Sequence, residues 1–262
     1  MVTTCYVFLY IQKFDKNISF YFILLISMPN RGIALSISNP DKWNNETFGQ
    51  TIEQAISDIS GISSGIDANR VDSEMAKQLE PHLSSAFAGL KITSAVGSKN
   101  TAVDFNGLLE GKNVSISVKS NTSGNKVCPQ TIGQTTKQGF CSHFGITSQS
   151  DDDIKQWILD HPNNLLREYA NNLNICDIIV HVQATKSKNA IYLKSISWYK
   201  REHFENIDWM LGECVFTKKT VSAWNESSSI RFRNIPIGEF QIHNNRNNIK
   251  FRFNFRNLLK LL

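Results

Sequence analysis

The chain has 262 residues, enough to bury a full hydrophobic core in one large domain or two small ones. With 41% hydrophobic and 19% charged residues it has the composition of a folded soluble protein, which excludes disorder as the default state. The net charge of +5 is mildly basic and concentrated: between Ser228 and Leu262 stand seven Lys or Arg against one acid, Glu239.

Residues 1–27 read differently from the rest. An apolar run at 7–11 is interrupted by Lys13, Asp15 and Lys16, and a second run spans 18–28. The second run is shorter than the ~20 residues that cross a bilayer, so no membrane partner is expected. Lys13 and Lys16 ahead of it suit an unusual leader, whereas Met28-Pro29-Asn30-Arg31-Gly32 reads as an ordinary soluble beginning. We take 1–27 as an N-terminal extension and 28–262 as one domain, with a basic, strand-rich C-terminal part from about 212 to 262.

A helix is expected over 47–59, where Phe48, Ile52, Ala55, Ile56 and Ile59 recur at helical spacing. Gly61 and Gly65 break it. A second helix is expected over 72–90, with Asp72 as N-cap and Pro81 as a kink or break. The pattern then changes to strands at 91–96, 102–109 and 114–119, the last two joined by the turn Glu110-Gly111-Lys112-Asn113. In the third strand Val114, Ile116 and Val118 share one face, and Ser115, Ser117 and Lys119 the other. Pro129 opens an expected helix over 130–138. Asp151, Asp152 and Asp153 sit at the start of another, which suits the helix dipole, and a further helix runs from His161-Pro162 to about 172. Strands follow at 175–184 and 190–198, then at 230–234 and 249–256. In the last, Phe251, Phe253 and Phe255 share a face that reads as core, with base stacking as the competing use. The pattern is α/β: a mixed central β-sheet flanked by helices.

The five cysteines, Cys5, Cys128, Cys141, Cys176 and Cys214, are odd in number and widely spaced. A disulfide framework is therefore not expected, and a reducing cytoplasm fits. Cys128, Cys141 and His143 contain no CxxC pair and read as buried thiols rather than a zinc site.

The residues that carry chemistry lie around the 102–119 hairpin. Phosphodiester hydrolysis needs an activated water, stabilisation of extra negative charge and a protonated leaving oxygen. A divalent cation on carboxylates supplies the first two, and a lysine ammonium assists. Asp104 and Lys119 are 15 residues apart, which fits two strands and a turn, and Ser117 shares the face of Lys119. Gly97-Ser98-Lys99-Asn100-Thr101 is a polar, glycine-containing lead-in of the kind that lets a phosphate approach the backbone.

At Gly97 to Asp104 and Val114 to Asn121 the sequence resembles the PD-(D/E)xK nuclease superfamily, in particular type II restriction endonucleases. A Gly49-x-x-x-Glu53 helix upstream is similar to the N-terminal helix of such enzymes, and the tail at 238–243 and 250–255 resembles segments near their ends. The resemblance implies a restriction-endonuclease-like core. It also implies Mg²⁺-dependent, site-specific cleavage of double-stranded DNA, with a cognate DNA methyltransferase protecting a prokaryotic or viral host and a homodimer matched to palindromic targets. It assigns Asp104, Ser117 and Glu53 to the metal and Lys119 to charge stabilisation. Two positions depart from the pattern: Val103 stands for the family's Pro, and Ser117 for the acid of the (D/E)xK element. A hydroxyl can hold a metal-bound water, and Glu53 can supply the carboxylate. Glu110-Gly111-Lys112 matches the letters but falls at the hairpin turn. DNA contacts are expected from Ser98, Lys99, Asn121 and Lys126, from Gln130 and Gln134 four apart on the expected helix, and from Arg231, Arg233, Lys250 and Arg252 on the basic strands. A DNA-binding protein without catalysis and a repair or junction nuclease of the same superfamily remain alternatives.

Overall fold

The computed structural model describes residues 6–9, 24–27, 32–38, 40, 43–96, 102–122, 126–129, 132–187, 190–243 and 245–262. In chain order they form β1 (Tyr6–Leu9), β2 (Leu24–Ser27), β3 (Ile33–Ser36), α1 (Asn45–Ser60), α2 (Ser73–Ala86), β4 (Leu90–Ala95), β5 (Phe105–Leu109), β6 (Lys112–Asn121), β7 (Lys126–Val127), β8 (Gln134–Thr136), α3 (Lys137–Phe144), α4 (Asp151–Asp160), α5 (Pro162–Leu173), β9 (Ile178–Lys186), β10 (Ala190–Lys200), α6 (Arg201–Glu205), β11 (Cys214–Phe216), β12 (Ser227–Phe232), β13 (Ile235–Ile242), β14 (Asn248–Asn254) and α7 (Phe255–Leu258). They fall into two compact units, Met1–Ser123 with Cys176–Lys200, and Gly124–Ile175 with Arg201–Leu262. No helix among the described residues is long and apolar enough to cross a membrane.

The first unit is built on a mixed sheet with strand order β1-β2-β10-β9-β6-β5-β4, and β3 also pairs with β10. β6 and β9 run parallel, with Lys119 level with His181 and Asn121 level with Gln183. β5 and β6 form an antiparallel hairpin closed by Glu110 and Gly111, both at positive φ (52° and 78°), the turn whose twist suits adjoining strands.

Helix α1 starts where Asn44 accepts hydrogen bonds from the Glu46 and Thr47 amides, and ends at Gly61 in the left-handed conformation. Its Phe48, Ile52, Ala55 and Ile56 pack with Ile116 and Val118 of β6 and with Val180 and Val182 of β9 in one buried cluster. Each such side chain contributes about 1.5–3 kcal/mol on leaving water. Helix α2 joins the same cluster through Met75, Leu79 and Leu83. It runs through Pro81 but stops at Ala86, short of the expected 90, because Leu90 is taken into β4. Burial of Leu79 and Leu83 on either side of the proline offsets the backbone hydrogen bond it removes.

The second unit holds an antiparallel sheet of order β11-β12-β13-β14-β7, with β8 also on β14. Its core is aromatic: Tyr169 of α5 lies 4.4 Å from Phe251, and Phe251 lies 4.6 Å from Phe240 and 4.8 Å from Phe253 between ring centroids. Phe251, Phe253 and Phe255 are fully buried, so the phenylalanine row is core and has no face for a base.

Three expected elements change here. Residues 134–136 are a strand, not helix: Thr135 and Thr136 are β-branched, and the open edge of β14 offers them partners in Ile249 and Asn248. Gly133 permits the turn into it, since a Cβ there would fall 2.1 Å from the Pro129 carbonyl oxygen. The helix begins only at Lys137, capped by Thr136. The strand expected over 230–234 ends at Phe232, because Arg233 and Asn234 (φ 48° and 65°) turn the chain into β13. The last strand ends at Asn254, whose side chain caps α7 by accepting from the Asn257 amide at 3.2 Å.

Asp72 ties the helices of the first unit together. Its carboxylate accepts from the Met75 amide at 3.1 Å, from the Ser38 amide at 2.7 Å and from the Ser38 hydroxyl at 2.7 Å, while its own amide donates to Thr51 Oγ1 at 3.0 Å. Asp72→Ala removes a buried cap and strands those donors, so the protein is expected to lose about 2–3 kcal/mol in urea unfolding. A loss below about 0.5 kcal/mol would show that water replaces the carboxylate.

Candidate active site

The backbone of β6 brings Asp104 and Lys119 together at the point where the hairpin opens. Asp104 lies just before β5 rather than within the strand expected over 102–109. Its amide donates to the Ile116 carbonyl at 2.9 Å, and its carbonyl accepts from Val96 at 3.0 Å. Two residues further along β6, the Val118 amide bonds not a carbonyl but Asp104 Oδ2, at 2.6 Å. Ser117 Oγ donates to the same oxygen at 3.1 Å. Two donors on Oδ2 fix the carboxylate.

Lys119 follows Ser117 on the same side of β6. Burial pushes the Asp104 carboxyl up, while the Lys119 charge, the Val118 amide and the Ser117 hydroxyl pull it down; burial prevails and the group sits above its ordinary value. Glu53 of α1 lies within electrostatic reach of Asp104 and Lys119. Burial, and next the Asp104 charge, raise it to about 7, against the opposing pull of Lys119 and Arg70. The charges of Asp104 and Lys119 both act on Glu53, and that of Lys119 acts on Asp104, so the three groups form one electrostatic cluster. α1 comes close to β6 beside it: a Cβ on Gly49 would lie 3.5 Å from Ser120 Oγ, an ordinary contact.

Ser117 has a positioning part here. It is fully buried and its hydroxyl is directed to Asp104. Asp104 and Glu53 are the carboxylates available to a cation. Among the described residues no three of His, Cys, Asp or Glu gather in a metal-binding group. Mg²⁺ needs only one or two carboxylates, because waters and phosphate oxygens fill its other positions. Two acids raised by burial, Glu53 also by the Asp104 charge, are a donor set that a divalent cation would relieve, so the pair fits such an ion.

Two neighbours of the cluster were not singled out from sequence. The Cys176 thiol donates to the Ala102 carbonyl at 3.2 Å and is pushed up to about 11 by burial and by the Asp104 charge. His181 stands level with Lys119 on β9 and is pushed down to about 4 by burial, so its ring is neutral. The period-two alternation of β9 was a signal for His181, whereas nothing local marked Cys176.

The expected DNA contacts are dispersed. Ser98, Lys99 and Gln130 lie outside the described residues. Asn121 is buried, with its amide nitrogen 3.3 Å from His181 Nε2. In the second unit Lys126 pairs with Glu239, and Arg252 lies 3.6 Å from the same carboxylate. Burial would raise Glu239, but hydrogen bonds from Lys126 and Gln241 and the two cationic charges hold it below its ordinary value. Lys250 stands level with Gln134 across β14 and β8, so these two candidates are neighbours on paired strands, not on a helix. Arg231 is exposed; Arg233 is also exposed and donates to the Leu211 carbonyl at 3.2 Å. Cys128 and Cys141 each donate to a carbonyl, of Phe251 and Ser148, and His143 faces Glu168 at 3.1 Å.

A mixed sheet flanked by helices, with an acid pair and a lysine at a parting hairpin, is consistent with an α/β nuclease fold. No model of a known protein family matches the chain. Over 143 residues, 54% of this chain, it is 34% identical to the type II restriction enzyme CviAII of Paramecium bursaria Chlorella virus 1. That stretch is 39% of the relative, so the chain spans about two-fifths of the length of the curated relative it matches.

The raised Glu53 makes stability depend on pH. A folded-state value of about 7 against an ordinary 4.5 means full stability below 4.5, lost as pH rises through 7. In EDTA at pH 8, Glu53→Gln is therefore expected to be more stable than the native chain by on the order of 2–3 kcal/mol, the gap closing as pH falls towards 4. Urea unfolding across that range reads it, and a gap that stays constant with pH would place Glu53 in ordinary solvent.

Proposed function

We propose that the chain is a type II restriction endonuclease of the PD-(D/E)xK superfamily that hydrolyses phosphodiester bonds at specific sites in double-stranded DNA with Mg²⁺. The observation that carries this is the cluster of Asp104, Glu53 and Lys119 at the opening of the β5–β6 hairpin. The partial match to a restriction enzyme supports it.

Asp104 and Glu53 would hold the metal, Asp104 through the oxygen that Val118 and Ser117 leave free. Bound Mg²⁺ supplies a Lewis acid for the phosphoryl oxygen and an acidified water. Lys119 meets the scissile phosphate, offsets the charge that builds on its oxygens and orients the attacking water. Ser117 and the Val118 amide prevent the Asp104 carboxylate from turning away. On the second unit, the polar face of β14 carries Lys250 and Arg252 towards phosphates, with Gln134 beside Lys250. A methyltransferase protecting the same sites and a homodimer matched to a palindrome complete the proposal.

A second reading, a DNA-binding protein without catalysis, is favoured by one observation: Ser117 stands where the family has an acid. Plasmid incubated with the protein separates the two. Discrete fragments are expected with Mg²⁺ and none with EDTA. Asp104→Asn and Lys119→Gln are each expected to lose at least about 10²-fold in cleavage rate while still retarding duplex DNA in a gel. Retardation by the native chain with no fragments at any Mg²⁺ concentration selects the non-catalytic reading. Undiminished cutting by Asp104→Asn overturns the site.

A further inference from the structure

In the second unit, residues that pair across strands share a face of the sheet. Glu239 stands opposite Arg252, Gln241 opposite Lys250, and Lys250 opposite Gln134. This face is turned away from the aromatic core, because Phe240, Phe251 and Phe253 alternate with these residues along β13 and β14 and are fully buried. It carries the cations Lys250 and Arg252, with Lys126 reaching in from β7, and one acid, Glu239. A surface that only neutralised phosphates would gain nothing from a carboxylate among its cations.

Glu239 has a use that charge does not explain. Against its burial, bonds from Lys126 and Gln241 and the charges of Lys126 and Arg252 hold it below its ordinary value, so it is ionised and can only accept. Gln241 Nε2 donates to Glu239 Oε1 at 2.7 Å. The two ends of an amide are alike in shape, but only the NH2 end can face a carboxylate, so the orientation of the Gln241 amide is settled. Its Oε1 is directed away from Glu239. Gln241 is partly exposed, and that oxygen accepts nothing among the described residues and is not closed off from water. Gln134, the other glutamine on this face, is exposed and has no such tether among the described residues, so it can offer either end. Position matters as well. Ile242 and Ile249 are the last pair of β13 with β14, so Gln241 and Lys250 stand one pair from the end of the hairpin. A groove can be reached there without laying the whole sheet on the duplex.

We propose that Gln241 is a specificity-determining residue whose Oε1 accepts a hydrogen bond from the exocyclic amino group of a base, and that Glu239 is the positioning residue that keeps this oxygen outward. An amide that shows only its oxygen separates amino from keto edges. Its donors are adenine N6 or cytosine N4 in the major groove and guanine N2 in the minor groove. A keto oxygen at the same place would meet acceptor with acceptor and be turned away. The cations alone would answer a polyanion of any sequence, whereas the fixed amide oxygen answers only a donor. This inference rests on the DNA reading above, though not on cleavage.

The test needs no cutting. Duplexes are selected from a randomised pool by the full native chain in EDTA, which gives the preferred sequence. Each amino group of that sequence is then deleted in turn, with purine for adenine, pyrimidin-2-one for cytosine and hypoxanthine for guanine, and binding is titrated by gel retardation. The base that responds identifies which of the three donors is read. A loss of about tenfold is expected at one position. In Gln241→Met, which keeps the side-chain length without the acceptor, that loss vanishes while losses at other positions stay. In Glu239→Gln the amide can turn either end outward, so the same position tolerates the analogue and also accepts a keto base. Circular dichroism checks both folds, and either variant alone decides. The inference is overturned if no position responds in the native chain, or if a folded variant keeps the full response. Plasmid cutting with Mg²⁺ is scored in parallel. Cutting without an amino response removes this inference and leaves the nuclease reading. An amino response without cutting keeps it and selects the non-catalytic reading, and retardation of no duplex at all removes both.

Discussion

The hydrogen bond from the Val118 amide to the Asp104 carboxylate is where backbone and chemistry meet in the first unit. Up to Phe105 the hairpin is ordinary, each strand satisfying the other through main-chain groups. At Val118 the partner becomes a side chain at 2.6 Å. A buried amide left unpaired would cost about as much as a lost hydrogen bond, so the carboxylate is held by the fold's own need for an acceptor. The same substitution ends the regular pairing of β5 with β6 and lets the strands part. Parting gives the carboxylate a side that the sheet does not cover.

The position of α1 adds the second acid. Its core face is fixed by Phe48, Ile52, Ala55 and Ile56, which share the buried cluster with β6 and β9. Glu53 is the neighbour of that stripe, so helix rotation is set by packing, and the carboxylate is carried to Asp104 whether or not the two charges repel. They do repel: Asp104 raises Glu53, and Lys119 only partly opposes it. Arg70 lowers Glu53 as well but is itself paired with Glu46. Hydrophobic packing, worth several kcal/mol over four side chains, wins against a carboxylate repulsion of a few. Strain of this kind belongs at sites where a fold gives up stability for chemistry.

The first unit was the more legible in the sequence, and the reason is local. The β5–β6 hairpin combined alternation with a two-residue turn at Glu110-Gly111, and both signals act over a few residues. The caps Asn44 and Asp72 sit beside the helices they start, and the second was visible as a signal. The second unit hid more. Gln134 to Thr136 was expected as helix because Pro129 suggested a start, yet the segment's conformation is decided by β14, more than a hundred residues away. The turn at Arg233-Asn234 carries no glycine, so its positive φ values were invisible, and with them the start of β13. The basic strands read as a row of cations. In the structure the one acid of that stretch, Glu239, answers both Lys126 and Arg252, a pairing fixed by strand register that charge counting does not contain.

A serine rather than an acid at position 117 suits the same electrostatics. Ser117 is fully buried and next to a carboxyl that burial already raises. An aspartate or glutamate at this position would be a third acid in a half-desolvated space holding one lysine, and its own burial would push it towards the neutral form. The hydroxyl avoids that charge and donates to Asp104 instead, which stabilises the ionised state of the acid that remains. The second acid of the cluster, Glu53, is carried by an element outside the sheet, α1. The two carboxylates of the cluster therefore come from different elements, Asp104 beside the β5–β6 hairpin and Glu53 on α1, and burial raises both.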